Sequence, residues 1–285
     1  MRREASGSRF ASPWSKAFVL VALLVGAVLF TIPFIWTLST ALKTPEEIAQ
    51  DPTRLIPKDF AWDNFYKAWT ALPFSRFVAN TLFITVLNTI GTVFSASFVA
   101  YGFSRFRFKG RNTCFYLMLA TMMLPGQVTM IPVFMIWRQL GAIDTFYPLI
   151  VGSFLGGGAF NIFLLRQFLL TIPRELDEAA MLDGASYLRI WWSVLLPLSS
   201  PALATVAIFS FIGNWDNFEG PLIYLNSPEK YTVSIGLRMF QDTFGTNLEQ
   251  LMAASIIHIL PTVVIFFFAQ RYFLKGIALS GLSGR

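Results

Sequence analysis

Six apolar stretches constrain what this chain can fold into. They cover about residues 18–42, 77–103, 113–137, 146–168, 198–215 and 251–274 of a 285-residue sequence. A helix crosses the hydrocarbon core of a bilayer with about 20 residues, and no water is present there to satisfy a free backbone amide, so each stretch is expected to be a transmembrane helix. The low charged content, 13%, against roughly 25% in soluble domains, agrees. The fold class expected is an all-α integral membrane protein, with one membrane domain over residues 18–285 behind a polar tail of residues 1–17. The run from Phe18 is too long for a cleaved signal peptide and lacks a small-residue cleavage site.

Six crossings place both termini on the same side. That side collects Arg2, Arg3, Arg9, Lys16, Arg105, Arg107, Lys109, Arg111, Arg166, Arg174, Arg189, Arg271, Lys275 and Arg285, fourteen basic residues, and the other side eight. Positive charge concentrates in cytoplasmic loops, so the richer side and both termini are expected to be cytoplasmic. The net charge of +6 then reports topology, with membrane lipid as partner and no nucleic acid. The lone Cys114 excludes an internal disulfide and is expected to be a buried small residue.

Between the fourth and fifth stretches lies a charged island, residues 171–197. Pro173 suits a first helical position, and Glu175, Asp177 and Glu178 bring negative charge to a helix start. Asp183-Gly184 ends that helix, Ser186 caps a second, and Pro197 is expected to stop it. Leu176, Ala179, Ala180 and Asp183 recur at intervals of three and four, which puts them on one side. Spacing alone leaves two readings: a helix lying on the membrane surface, or a contact for a partner.

The island also carries a recognisable pattern: Glu178-Ala179-Ala180, then Gly184, then Val194-Leu195-Leu196-Pro197. It resembles the cytoplasmic loop of the membrane subunits of binding-protein-dependent ABC importers, departing by Val for Ile. Pro33-Phe34-Ile35-Trp36 through Ser39 and Lys43, Asn64-Phe65-Tyr66, Leu124-Pro125-Gly126-Gln127, Phe163 to Phe168 and Gln270-Arg271-Tyr272-Phe273 resemble the carbohydrate-uptake branch of the maltose type. The resemblance implies an ABC type I importer permease fold whose loop is a coupling helix, with Glu178, Ala179, Ala180, Met181, Asp183 and Gly184 facing an ATPase. It implies as partners a second homologous permease subunit, two ATP-binding subunits and an extracytoplasmic sugar-binding protein. ATP and Mg would be bound by the partner ATPases and no cofactor by this chain.

Polar residues inside the stretches are candidates for a solute path. Thr81, Thr85, Asn88, Thr92 and Ser95 draw a stripe down the second stretch, and Ser255, His258 and Thr262 down the sixth. Such groups turn away from lipid, either to hydrogen-bond between helices or to line a wetted path. His258 is either a neutral packing residue or part of a proton relay, with no carboxylate on its own helix. Asn214, Trp215, Asp216 and Asn217 gather amides, a carboxylate and an indole, groups that suit a sugar's hydroxyls and C–H face but equally an interfacial Trp with capping neighbours. Gly152 and Gly156 form a small-xxx-small pair that signals close packing or a hinge, and Pro125 and Pro132 are expected to kink the third stretch.

No phosphate-binding Gly-rich loop ending in Lys-Ser/Thr occurs, nor a nucleophile beside a base, nor a metal-ligand cluster, so no enzyme is expected. Two rival classes are weaker. An ion-gradient-driven secondary transporter ordinarily carries membrane-embedded carboxylates, and no stretch has one at mid-depth. A purely structural anchor has no use for polar faces on several helices.

Overall fold

The computed structural model describes residues 13–242 and 247–282; Arg2, Arg3, Arg9 and Arg285, counted above for orientation, lie outside these. The helices are α1 Pro13–Ala41, α2 Pro45–Gln50, α3 Asp63–Ala71, α4 Phe74–Arg105, α5 Arg111–Ala120, α6 Gly126–Gln139, α7 Tyr147–Phe154, α8 Ala159–Thr171, α9 Glu175–Leu182, α10 Tyr187–Ile190, α11 Leu196–Leu198, α12 Ser200–Trp215, α13 Glu219–Tyr224, α14 Val233–Asp242 and α15 Leu248–Leu282. No strand occurs among the described residues. Four spans are long and apolar enough to cross a membrane, Trp14–Ala41, Phe74–Arg105, Tyr147–Thr171 and Leu248–Phe268, and six if two bent pairs each count as one.

The kink expected in the third stretch is a sharp one: Arg111–Met123 and Gly126–Gln139 meet at 100°. Leu124, held extended as a residue before proline, and Pro125, at ψ 135, redirect the chain together. Pro132 sits inside the continuous α6, so the turn is concentrated at Pro125. Cys114, on α5, is exposed rather than buried. The first helix includes Pro13, whose missing N–H is harmless in a first turn, so residues 13–17 of the expected tail are helical.

The chain folds as two compact units, one of residues up to Thr70 with Phe240–Ile257, the other of Ala71–Met239 with the residues from His258. In the first, the end of α1 is finished by the following loop. Asn64 Nδ2 donates to the carbonyls of Ala41 (3.0 Å) and Lys43 (2.8 Å), two acceptors that the ending helix leaves free. Lys43 is fully buried with its Nζ 3.3 Å from Pro52 O, and Ser39 Oγ donates to Arg54 O at 3.2 Å.

In the second unit, α4 is the central post. Ala96, Ala100 and Tyr101 of α4 pack with Ile162, Leu165 and Leu169 of α8, Ile190, Trp191 and Leu195, and Ala202 and Val206 of α12. Lipid is as apolar as these side chains, so what binds helices here is close contact and hydrogen bonding, which the small residues allow. Gly91 faces Ser153 and the Phe154 ring, and Gly157, at φ +70, faces Thr92 O. The pair marked by sequence, Gly152 and Gly156, makes no such approach: a Cβ at either meets nothing within 4 Å. Gly156, Gly157 and Gly158 all have positive φ, and there the chain breaks between α7 and α8.

At the opposite end of α4 from Arg105, two loops are clamped. Asp144 Oδ1 accepts from the amides of Asn226 and Ser227, both at 2.9 Å, and Lys230 Nζ lies 2.9 Å from Oδ2. The Ser227 hydroxyl and these partners hold the Asp144 carboxyl well below the usual carboxylate range.

Candidate functional site: the loop between the fourth and fifth stretches

The island folds as a helix, a sharp turn and a second helix. Ile172 precedes proline and is extended, so α9 starts after Pro173, at Glu175, and not with that proline in its first turn. The end of α9 is a Schellman motif: Ala185 N–H donates to Ala180 O (2.9 Å) and Gly184 N–H to Met181 O (3.0 Å), with Gly184 at φ +79. Ser186 caps α10 by accepting from Arg189 N–H at 3.4 Å.

Pro197 does not stop the second helix. Trp191–Leu195 is a π-helical turn, in which Leu196 N–H reaches back to Trp191 O, and the helix runs on through Pro197 to Leu198. The widened turn shifts the hydrogen-bond register just before the residue that lacks a donor. The bend comes at Ser199, where Tyr187–Leu198 and Ser200–Trp215 meet at 81°.

The side of α9 that the spacing marked is mostly open to solvent. Asp177 is buried and Ala180 packs on the core, whereas Leu176, Ala179 and Asp183 are exposed. Glu178, Met181 and Gly184 are exposed as well, and Leu182 is 90% exposed. So α9 hides a carboxylate and shows leucines.

The hidden carboxylate has partners that were read in sequence only as topological charge. Arg105, the last residue of α4, lies 2.6 Å from Asp177 Oδ2 through its Nε, with both side chains under a tenth exposed. Its Nη1 donates to Leu169 O (2.9 Å) and its Nη2 to Ile172 O (3.1 Å), at the C-terminal end of α8. Arg174 Nη2 donates to Ser104 O at 3.2 Å, and Tyr101 Oη to Tyr187 O at 3.2 Å. Burial lifts the Asp177 carboxyl above the ordinary carboxylate range, with Arg105 and Arg174 pulling the other way. Asp177 Oδ1 has no hydrogen-bond partner among the described residues. An arginine at a helix end beside an acid-led loop is a signal the sequence contains, but nothing in it says that the two meet.

The polar stripe of α4 lies in a helix seam. Thr81 Oγ1 accepts from Val233 N–H at 2.9 Å, Asn88 Nδ2 donates to Leu149 O, and Ser95 Oγ donates to Ser153 O at 2.6 Å. Thr85 and Thr92 are buried too, and Thr85 Oγ1 has no partner among the described residues. Three of the five residues of the stripe thus bond to a neighbouring element. Asn88→Leu is accordingly expected to lower thermal stability by about 1 kcal/mol with solute range unchanged, measured by melting and by competition between solutes for uptake. An altered range would put the side chain on the path.

The four residues at the end of the fifth stretch do not converge on one ligand. Trp215 is buried rather than interfacial, its Nε1 donating to His258 O (2.9 Å) and its ring stacked on the His258 ring at 5.7 Å. Asn214 Nδ2 turns back to Ser210 O at 2.7 Å, and Asn217 Oδ1 accepts from Gly220 N–H at 3.1 Å. Asp216 is exposed and accepts from His258 Nε2 at 3.1 Å; α15 does carry a carboxylate, Glu249 in its first turn, because it starts earlier than the sixth stretch, but the one His258 meets is Asp216, just past the end of α12. No group of three or more metal-ligating side chains occurs among the described residues.

A family model described as the binding-protein-dependent transport system inner membrane component matches residues 91–279. The arabinooligosaccharides transport system permease protein AraQ of Bacillus subtilis (strain 168) is 32% identical over 261 residues, 90% of this chain and 92% of that protein. The sn-glycerol-3-phosphate transport system permease protein UgpE of Yersinia pestis bv. Antiqua (strain Antiqua) is 32% identical over 268 residues, 91% of this chain and 95% of that one. A chain in the crystal structure of a bacterial ABC transporter involved in the import of the acidic polysaccharide alginate has a TM-score of 0.81 at 28% identity, over 93% of this chain and 100% of that chain. Matched across most of its length in sequence and in fold, the chain belongs to the family of binding-protein-dependent transport system inner membrane components.

Proposed function

We propose that the chain is the membrane subunit of an ATP-driven importer that takes a sugar or sugar derivative from an extracytoplasmic binding protein, and that α9 is where the ATPase takes hold. The sugar class rests on the relatives, whose names cite arabinooligosaccharides, sn-glycerol-3-phosphate and alginate. The basic-residue count puts α9 on the cytoplasmic side, with both termini.

The observation that carries the coupling role is the exposed face of α9. Glu178, Asp183 and Leu182 are exposed together on a helix anchored by its buried Asp177. An anionic membrane surface would repel those carboxylates, whereas a protein groove with basic or hydrogen-bonding groups and an apolar slot fits both charges and leucine. In this reading Glu178, Ala179, Ala180, Met181, Asp183 and Gly184 form the contact, two ATP-binding subunits bind ATP and Mg, and a second homologous permease subunit completes the path. In the same reading Asn214 to Asn217, at the extracytoplasmic end of α12, border the solute path.

Reconstitution decides it. With both permease subunits, the ATPase subunits and the loaded binding protein in vesicles, uptake should require ATP and fall to leak when the ATPases are left out. Uptake by this chain alone on an ion gradient would instead establish a secondary transporter.

A further inference from the structure

Arg105 joins three elements at one point. It ends α4, its guanidinium closes the carbonyl end of α8 through Leu169 O and Ile172 O, and it pairs with Asp177 in the first turns of α9. Arg174, just ahead of α9, returns a bond to Ser104 O of α4. A surface ion pair is screened and easily exchanged; this one is buried, and removing either partner strands a charge. The Tyr101 hydroxyl adds a bond to Tyr187 O across the turn.

We infer that Arg105 and Asp177 form a rigid link through which any displacement of α9 moves α4 and α8 as one body, which makes Arg105 a positioning residue for the ATP-driven step. The inference rests on the proposed coupling role of α9. Arginine suits the task because its planar fork spans a carboxylate and two carbonyls at once, which a lysine ammonium cannot do. Two short helices linked by a glycine turn would otherwise yield under load before the long helices moved.

The test uses the complete importer in vesicles. In the neutral pair Arg105→Gln/Asp177→Asn no buried charge is left unpaired, so its melting temperature should lie nearer the parent's than that of either single variant. The solute moved per ATP hydrolysed should nevertheless fall roughly tenfold, within the range of site-to-site coupling. A neutral pair that transports with the parent's ratio overturns the link. As a second measurement, nitroxides at Glu175→Cys and Ile90→Cys in a Cys114→Ser background should keep one distance with and without bound ATP. A shift of more than about 5 Å, roughly one helical turn, overturns the link even if the neutral pair fails to assemble. Loss of ATP-driven uptake in the parent would refute the coupling reading itself, whereas a transporting parent matched by its neutral pair refutes only the link.

Discussion

Replacing Gly184 by aspartate is expected to cut ATP-driven uptake at least about a hundredfold while the subunit stays inserted and folded, a loss on the scale of a central interface residue. Gly184 has φ +79, and a Cβ there meets nothing within 4 Å of this chain. The cost inside the subunit is therefore backbone strain alone, about 1–2 kcal/mol, eased by aspartate's tolerance of that region. The space beside Gly184 is open because, on the proposed reading, an ATPase fills it. A side chain there, adding charge next to Glu178 and Asp183, blocks the approach. Three measurements check it: yield in the membrane, co-purification of the ATPase subunits, and uptake. Normal co-purification and uptake would remove Gly184 from the contact.

Gly157→Ala should do the opposite, destabilising the subunit by about 3 kcal/mol, the sum of left-handed strain and overpacking, with no direct effect on any partner. Its Cβ would stand 2.6 Å from Thr92 O and 2.9 Å from both Ala96 Cβ and Ser95 Oγ. A backbone carbonyl in the middle of α4 cannot step aside, so α4 and the α7–α8 break must part. Gly152→Ala is the control, because the added methyl meets nothing and the position is helical. Thermal melting in detergent should separate them by several degrees, and equal melting would show that the seam is looser than its geometry.

Which parts of this were legible in the sequence follows from range. Local rules located Gly184, whose conformation only glycine takes cheaply, and the Ser186 cap, because both are decided within four residues. They failed where a distant partner decides. Asp177 turns inward only because Arg105 waits there, 72 positions earlier in the chain, as the numbering shows. Asp216 meets His258 for the same kind of reason. Pro125 announced the 100° bend of the third stretch, since a proline is a local signal, whereas the 81° bend at Ser199 added little to a window average and went unread. The family-like residues Ser39, Lys43 and Asn64 finish the end of α1, through partners 9 to 23 positions away.

The π-helical turn at Trp191–Leu195 makes this segment a matter of counting. Each residue advances a helix by about 100° of rotation, and the wide turn absorbs one surplus residue between the glycine bend and Leu196-Pro197. Inserting or deleting a residue elsewhere in Tyr187–Leu198, where the pitch is ordinary, would swivel everything before it by about that angle, carrying Leu182 and Glu178 to another bearing without altering either side chain. Drift in the exposed side chains of this span, such as Leu188 and Trp192, is then cheap, while drift in length outside the wide turn is not.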